Sequence, residues 1–146
     1  MRRRPWARRA SALAILQPFQ PTPPAMSAHY SFEVDSARSV VRIRMGGLFT
    51  IADIEGFLAA RKAAHAKLRC GPNQHFTIND LREMKIQHQE VVAAFRDMLA
   101  APDYRSRRLA FVASPTLAKS QLMRALSGRD ARCFEDATSA EAWLLG

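Results

Sequence analysis

The residues with the clearest potential for chemistry follow a short apolar stretch in the middle of the chain. Asp80, His88 and Glu90 supply two carboxylates and an imidazole, the groups from which general acid–base catalysts are built. No catalytic motif surrounds them and no nucleophile is placed beside them. Asp80 better fits a strand end, where it accepts backbone N–H bonds from the next turn, than a ligand contact. His88 fits an exposed position at a helix start. The sequence therefore predicts no catalytic residues and no enzyme.

A polar segment from Arg82 to Glu90 follows the predicted strand, in the place where open α/β sheets carry their binding sites. Ser114 follows a later strand but lacks the GxSxG elbow of a hydrolase, so an N-cap role is expected. Arg124 lies on the next predicted helix, either on a solvated face or in a polar groove that binds an anion. The expected partner-binding residues are Asp80, Arg82, Gln87, His88, Gln89, Ser114 and Arg124.

The cysteines and histidines do not predict a metal site. Cys70 and Cys133 are far apart in the sequence, and no CxxC motif is present. The histidines His29, His65 and His75 show no ligand spacing. We expect no metal and no cofactor, and two reduced, buried thiols in a cytoplasmic protein.

Charge is distributed unevenly along the 146 residues, whose formal net charge is +9. Residues 1–26 hold five arginines and no acidic residue, so residues 27–146 carry only +4. No basic run in the body is interleaved with aromatic residues, and no apolar run approaches the roughly 18 residues of a membrane span. The sequence favours neither a nucleic-acid partner nor a membrane span.

Residues 1–26 differ in composition from the remainder of the chain. They are rich in arginine and proline, and their short apolar stretch is broken at Gln17-Pro18 with no small-x-small cleavage site following. Three interpretations remain: an incorrectly assigned upstream start with Met26 as initiator, a disordered basic tail, or a weak targeting signal. We favour the first, and expect the domain to span residues 27–146.

Hydrophobic patterning predicts strands separated by amphipathic helices. The strands are expected at residues 30–34, 40–45, 75–80, 109–113 and 131–134. The helices are expected from a Thr50 N-cap to about Lys67, from about Gln87 to Ala100, from a Ser114 N-cap to about Leu126, and from a Thr138 or Ser139 N-cap to the C-terminus. This order, β-β-α-β-α-β-α-β-α, predicts one α/β domain with a mostly parallel sheet, an N-terminal antiparallel hairpin and covering helices.

With that order established, the chain resembles the STAS-like, or anti-sigma-factor-antagonist-like, superfamily, and within it the bacterial STAS/SEC14-like subgroup. The resemblance lies in the hairpin end VVRIRMGGLFT, the strand Ile78-Asn79-Asp80-Leu81, residues 104–112 (YRSRRLAFV) and residues 134–144 (FEDATSAEAWL). It implies a regulatory or protein-interaction module in a bacterial cytoplasm.

One departure concerns mechanism. The superfamily's phosphorylatable turn follows its Asp-Leu strand, but residues 82–90 of this chain contain no Ser, Thr or Gly, so a phosphoswitch is not expected. The SEC14-like relatives suggest an alternative function, binding of a lipid or small molecule. That function needs an internal cavity of several hundred Å3. Phe57, Phe76, Phe95 and Phe111 are all expected to point inward, which favours a filled core.

Overall fold

A computed structural model of the chain describes residues 27–115 and 131–146. The strands are β1 (His29–Asp35), β2 (Val40–Gly47), β3 (Phe76–Met84), β4 (Arg108–Val112) and β5 (Ala131–Phe134). The helices in the described part are α1 (Ile51–His65), α2 (Gln89–Ala100) and α3 (Ala137–Leu145). The predicted helix from Ser114 to Leu126 lies outside the described residues.

The five strands form one sheet in the order β1-β2-β3-β4-β5. Strands β1 and β2 pair antiparallel, and each later neighbour pairs parallel. The short turn at residues 36–39 makes the hairpin possible, whereas the parallel pairs need helical crossovers. The predicted fold class, a mostly parallel sheet with an N-terminal hairpin, is confirmed.

Helices α1 and α2 cover one face of the sheet. Their side chains pack with Val41, Ile43 and Met45 of β2 in the larger apolar cluster. The predicted Thr50 N-cap is confirmed: its hydroxyl accepts the Asp53 N–H, and the Asp53 carboxylate accepts the Thr50 N–H in return. The helix nevertheless ends at His65 rather than Lys67.

The apolar side chains of α1 are only partly buried. Ile54 and Phe57 face the sheet, but Ile51 and Leu58 are exposed. The reason is geometric: a 15-residue helix that contacts the sheet on one side turns the remaining apolar positions toward solvent.

Helix α3 covers the opposite face, against Ile78 of β3 and Ala110 and Val112 of β4. Its N-cap is Asp136, whose carboxylate accepts the Ser139 N–H, so the predicted caps Thr138 and Ser139 lie two and three residues too late. The helix begins earlier because Asp136 is the first side chain that can satisfy its free N–H groups.

Strand β3 is longer than predicted, so the polar turn that follows it begins later in the sequence. It continues past Asp80 to Met84, because Gly46 and Gly47 of β2 pair with Glu83 and Met84 after a register shift. Arg82 is therefore a strand residue. The connection is residues 85–88, and α2 begins at Gln89 rather than Gln87.

Strand β4 lies inside the sheet between β3 and β5, and its residues Leu109–Val112 are buried. The continuous apolar run thus has the burial on both faces that its lack of alternation predicted. Phe111 is 1% exposed, on the α2 side, next to Leu109.

Replacing Phe111 by alanine is expected to lower the free energy of unfolding by about 3–5 kcal/mol, because the cavity left in the sheet cannot collapse fully. The measurement is the urea midpoint and slope of the full chain. Ile51→Ala, at a side chain that is 43% exposed, is the matched control and is expected to change stability by no more than about 0.5 kcal/mol. Equal, small effects for both variants would contradict the interior position of β4.

Candidate functional site

The carboxyl ends of the parallel strands form one edge of the sheet, where Asp80 and Arg82 form a closed pair. The Arg82 guanidinium donates to both Asp80 oxygens, at 3.0 and 2.7 Å, and the Arg82 backbone N–H donates to Asp80 at 3.1 Å. The Arg82 side chain is the main cause that holds the pKa of the Asp80 carboxyl below its usual range. The prediction that Asp80 accepts a backbone N–H is confirmed. Its carboxylate is also bonded by the guanidinium of Arg82, which belongs to the same strand.

A shallow cavity of about 100 Å3 adjoins this pair. It is lined by Arg44 and Met45 of β2 and by Asp80, Arg82 and Glu83 of β3. The Arg44 side chain is exposed and makes no ion pair within the described residues, although its charge helps to lower the pKa of Asp80.

Gln87 is buried at 7% exposure and fixes the connection between β3 and α2. Its Oε1 accepts the Phe49 N–H at 2.9 Å, and its Nε2 donates to the carbonyls of Gly47, at 2.9 Å, and Lys85. The sequence predicted an exposed contact residue here, and that prediction is wrong. The amide is buried because the backbone groups after β2 need partners that no strand supplies.

The residues around Gln87 are all exposed, and we name Lys85, Ile86, His88, Gln89 and Glu90 the 85–90 ridge. Ile86 is 53% exposed. His88 is the N-cap of α2 but makes no capping bond through its side chain. The predicted exposure of His88 and Gln89 is therefore confirmed. The ridge also contains the exposed apolar side chain of Ile86, which the sequence analysis did not single out.

Two further predicted residues have different outcomes. Ser114 lies half-buried in the loop after β4, at the same edge of the sheet as Asp80. Arg124 lies outside the described residues, as does the helix that Ser114 was expected to cap. The structure thus brings five predicted residues to one edge, Asp80, Arg82, His88, Gln89 and Ser114, with Gln87 beneath the surface.

The opposite edge, where the parallel strands begin, carries a polar cluster that sequence reasoning missed. His65, at the end of α1, and His75, just before β3, approach to 3.2 Å between their Nε2 atoms. The His65 Nδ1 lies 2.8 Å from the Arg61 carbonyl, to which it donates. Ser106 Oγ lies 3.3 Å from His75 Nε2, and it also bonds the Thr77 hydroxyl.

Both imidazoles of this cluster are held neutral near pH 7. Burial, followed by the electrostatic effect of the adjacent His65 imidazole, lowers the pKa of His75 from 6.5 to about 4. Burial is also the main cause that lowers the pKa of His65. The signal that could have located the pair is topological: a helix end and the start of the next parallel strand meet at the same sheet edge.

The described residues contain no group of three or more His, Cys, Asp or Glu side chains that could hold a metal ion. In the same part of the chain, no helix is long and apolar enough to cross a membrane. Cys70 and Cys133 are both free thiols, and both are half-buried rather than fully buried as predicted.

Comparison with solved structures identifies the architecture. An uncharacterised protein of the DUF3478 family from Shewanella loihica PV-4, described as having a SpoIIAA-like fold, superposes on 81% of this chain and 95% of its own length, with a TM-score of 0.62 and 14% identity. This chain has a SpoIIAA-like fold. The superfamily resemblance inferred from the sequence motifs is thereby confirmed for the fold. No family profile and no curated protein matches the sequence.

Gln87→Leu tests whether the buried amide fixes the β3–α2 connection of this SpoIIAA-like domain. The change leaves the Phe49 N–H without its acceptor, whereas the Gly47 carbonyl keeps the Lys85 N–H, so we expect a loss of about 1–3 kcal/mol in the free energy of unfolding. Gln89→Leu, at an exposed neighbour, is the control and should stay within about 0.5 kcal/mol. A Gln87→Leu variant with an unchanged urea midpoint would show that the amide is dispensable.

The histidine pair predicts a loss of stability in mild acid. The His75 pKa is about 4 in the folded chain and 6.5 when unfolded, so the unfolded chain binds the proton first. Stability is expected to be full above pH 6.5 and to fall as the pH decreases toward 4. Urea midpoints measured across this range check it, and His75→Gln is expected to reduce the slope. If the urea midpoint decreased equally with pH in the parent chain and in His75→Gln, the acid sensitivity could not be assigned to His75.

Proposed function

We propose that this domain is a non-catalytic regulatory module of the bacterial cytoplasm that recognises a protein partner through the 85–90 ridge. The observation that carries the proposal is the contrast within this segment. Gln87 is buried and makes three hydrogen bonds to the backbone, whereas its neighbour Ile86 is 53% exposed. A large apolar side chain on a fixed connection is a feature of interaction hot spots, because little entropy is lost when a partner covers it.

The charges around the ridge supply specificity. Arg44 is exposed at the same sheet edge and forms no ion pair in the described part of the chain, while Arg82 is paired with Asp80. An acidic group on the partner would pair with Arg44 at the rim of the contact, where charges mainly govern association rate and selectivity.

Two observations support a module without catalysis. The carboxylate of Asp80 is paired with Arg82, so Asp80 is a poor candidate for the general acid or base. His88 caps α2 through its backbone and has no side-chain bond that would orient the imidazole for proton transfer.

Among the described residues, the size of the two cavities at the sheet edges supports a protein partner over a lipid. They measure about 100 and 40 Å3, against the several hundred Å3 that a lipid or drug-sized ligand needs. Between α1, α2 and the sheet, the space is filled by aromatic rings, among them Phe49, Phe57 and Phe95.

The test compares partner capture by the full chain with capture by two variants. Ile86→Ser combined with His88→Ala alters the ridge, and Leu58→Ser alters an exposed apolar side chain on α1 as the matched control. We expect quantitative mass spectrometry of affinity captures from the source organism to find a protein whose recovery falls at least tenfold with the ridge variant alone. For the purified partner, the loss of a hot spot corresponds to a roughly thirtyfold weaker Kd.

Thermal melts are the folding control, since exposed substitutions change stability little. Equal recovery of the same partner by the ridge variant and the parent chain would contradict the proposal, as would a chain that captures no protein above a blank column.

A further inference from the structure

Two polar atoms that are buried without a hydrogen-bond partner in the described residues belong to side chains lining one cavity. They are Arg61 Nε on α1 and Asn79 Oδ1 on β3, and Asn79 is 7% exposed. The cavity measures about 40 Å3 and lies at the edge where the parallel strands begin, away from the 85–90 ridge. A buried polar atom without a partner costs about 1–3 kcal/mol, so such a pair in one cavity points to something that binds there.

Arg61 is a desolvated cation that forms no direct ion pair in the described part of the chain. Burial lowers the pKa of its guanidinium, and the nearby Tyr104 and Asp103 side chains only partly oppose this. It forms no ion pair within the described residues, and its charge lies 5.0 Å from the Tyr104 ring centre. An anion placed against Nε would restore the interaction that the guanidinium lost with water.

The polar lining of the cavity also includes the Asp103 carboxylate and the Arg105 guanidinium, while Thr77, Ser106 and His65 belong to one hydrogen-bonded chain. Thr77 and Ser106 share a hydroxyl hydrogen bond, and Ser106 also reaches His75. His75 in turn bonds His65, whose second ring nitrogen bonds the Arg61 carbonyl. Both orphaned atoms therefore remain for a ligand: Arg61 Nε–H requires an acceptor, and Asn79 Oδ1 requires a donor.

Tyr104 closes the cavity in an unfavourable backbone conformation. Its φ is +58°, a left-handed value that an aromatic residue adopts only when its surroundings enforce it. The strained backbone carries the ring over Arg61 and to 4.9 Å from the His65 ring.

We propose that this cavity binds a small α-hydroxy carboxylate. The carboxylate accepts from Arg61 Nε–H, and the hydroxyl donates to Asn79 Oδ1. The volume exceeds the 10–15 Å3 or so that admits one water and is far below the ~300 Å3 of ordinary ligand pockets, so the ligand has only a few non-hydrogen atoms. This site is independent of the partner surface proposed above, because it occupies the opposite edge of the sheet.

Glycolate is the probe, and acetate and ethylene glycol are the controls that lack the hydroxyl and the carboxylate respectively. Titrations of the 15N-labelled full chain at constant ionic strength, set with sodium chloride, are followed by NMR. We expect glycolate to shift the amide signals of Thr77, Asn79 and Ser106 saturably. Each control should bind at least tenfold more weakly.

Variants locate the contacts. Arg61→Met keeps the aliphatic stem, and Asn79→Leu keeps the approximate shape, so each should weaken glycolate binding at least tenfold. Arg44→Met, at the exposed arginine of the other edge, should leave it unchanged. Should one cavity variant fail to fold, the other variant and the shift map of the parent chain still decide the question.

Three results would overturn the proposal. The first is a chain that glycolate does not shift at these residues, which would mean that ordered water alone fills the cavity. The second is equal affinity for acetate, which would remove the role of Asn79. The third is undiminished binding by Arg61→Met.

Discussion

The side chain of Phe57 connects the elements of the larger apolar cluster. It is fully buried, and its ring contacts Tyr30 and Phe32 of β1, Phe49 after β2, and Phe95 of α2, at 5.2–6.5 Å between centroids. Aromatic rings bury much area and prefer edge-to-face or offset contacts, so one residue can hold elements that approach from several directions.

Gly56 makes one of these contacts possible. A Cβ at this position would lie 2.8 Å from the Tyr30 hydroxyl, so the absence of a side chain lets Tyr30 reach across α1 to Phe57. The edge strand β1, which has only one strand neighbour, is thereby fixed to the helical layer as well as to β2.

The alternation of β3 divides its polar residues between two environments. Thr77 and Asn79 point to the α1–α2 side, where Asn79 lines the buried cavity. Asp80 comes next in the strand and points to the other side, where Arg82 and the solvent reach it. Because successive side chains of a strand point in opposite directions, a single polar strand contributes side chains to both faces of the sheet.

Arginine side chains distinguish the two edges by their partners. On the α3 side, Arg42 donates to the Glu141 carboxylate at 3.0 and 3.2 Å, and Arg82 is paired with Asp80. Arg61 on the opposite side is desolvated and forms no ion pair within the described residues, although the charge of Asp103 acts on it. A paired arginine stabilises or orients structure, whereas a buried unpaired arginine has interaction potential left for a ligand.

The sequence by itself determined the elements whose signals are local. The Thr50 cap, the alternation of the hairpin and the continuous apolar run around Phe111 each depend on neighbours within a few residues, and each was correctly predicted. The bond between Asp80 and the Arg82 N–H belongs to the same class, since it spans only two residues.

Only the tertiary structure decided the features that join distant residues. Gln87 is buried because it bonds Phe49 and Gly47, about 40 positions earlier, and no local pattern encodes that contact. His65 and His75 meet through the topology of a crossover, and Arg61 and Asn79 share a cavity that forms when α1 packs on β3. Side-chain periodicity specifies which face a residue occupies, but which residues meet across a sheet edge depends on how the layers are packed.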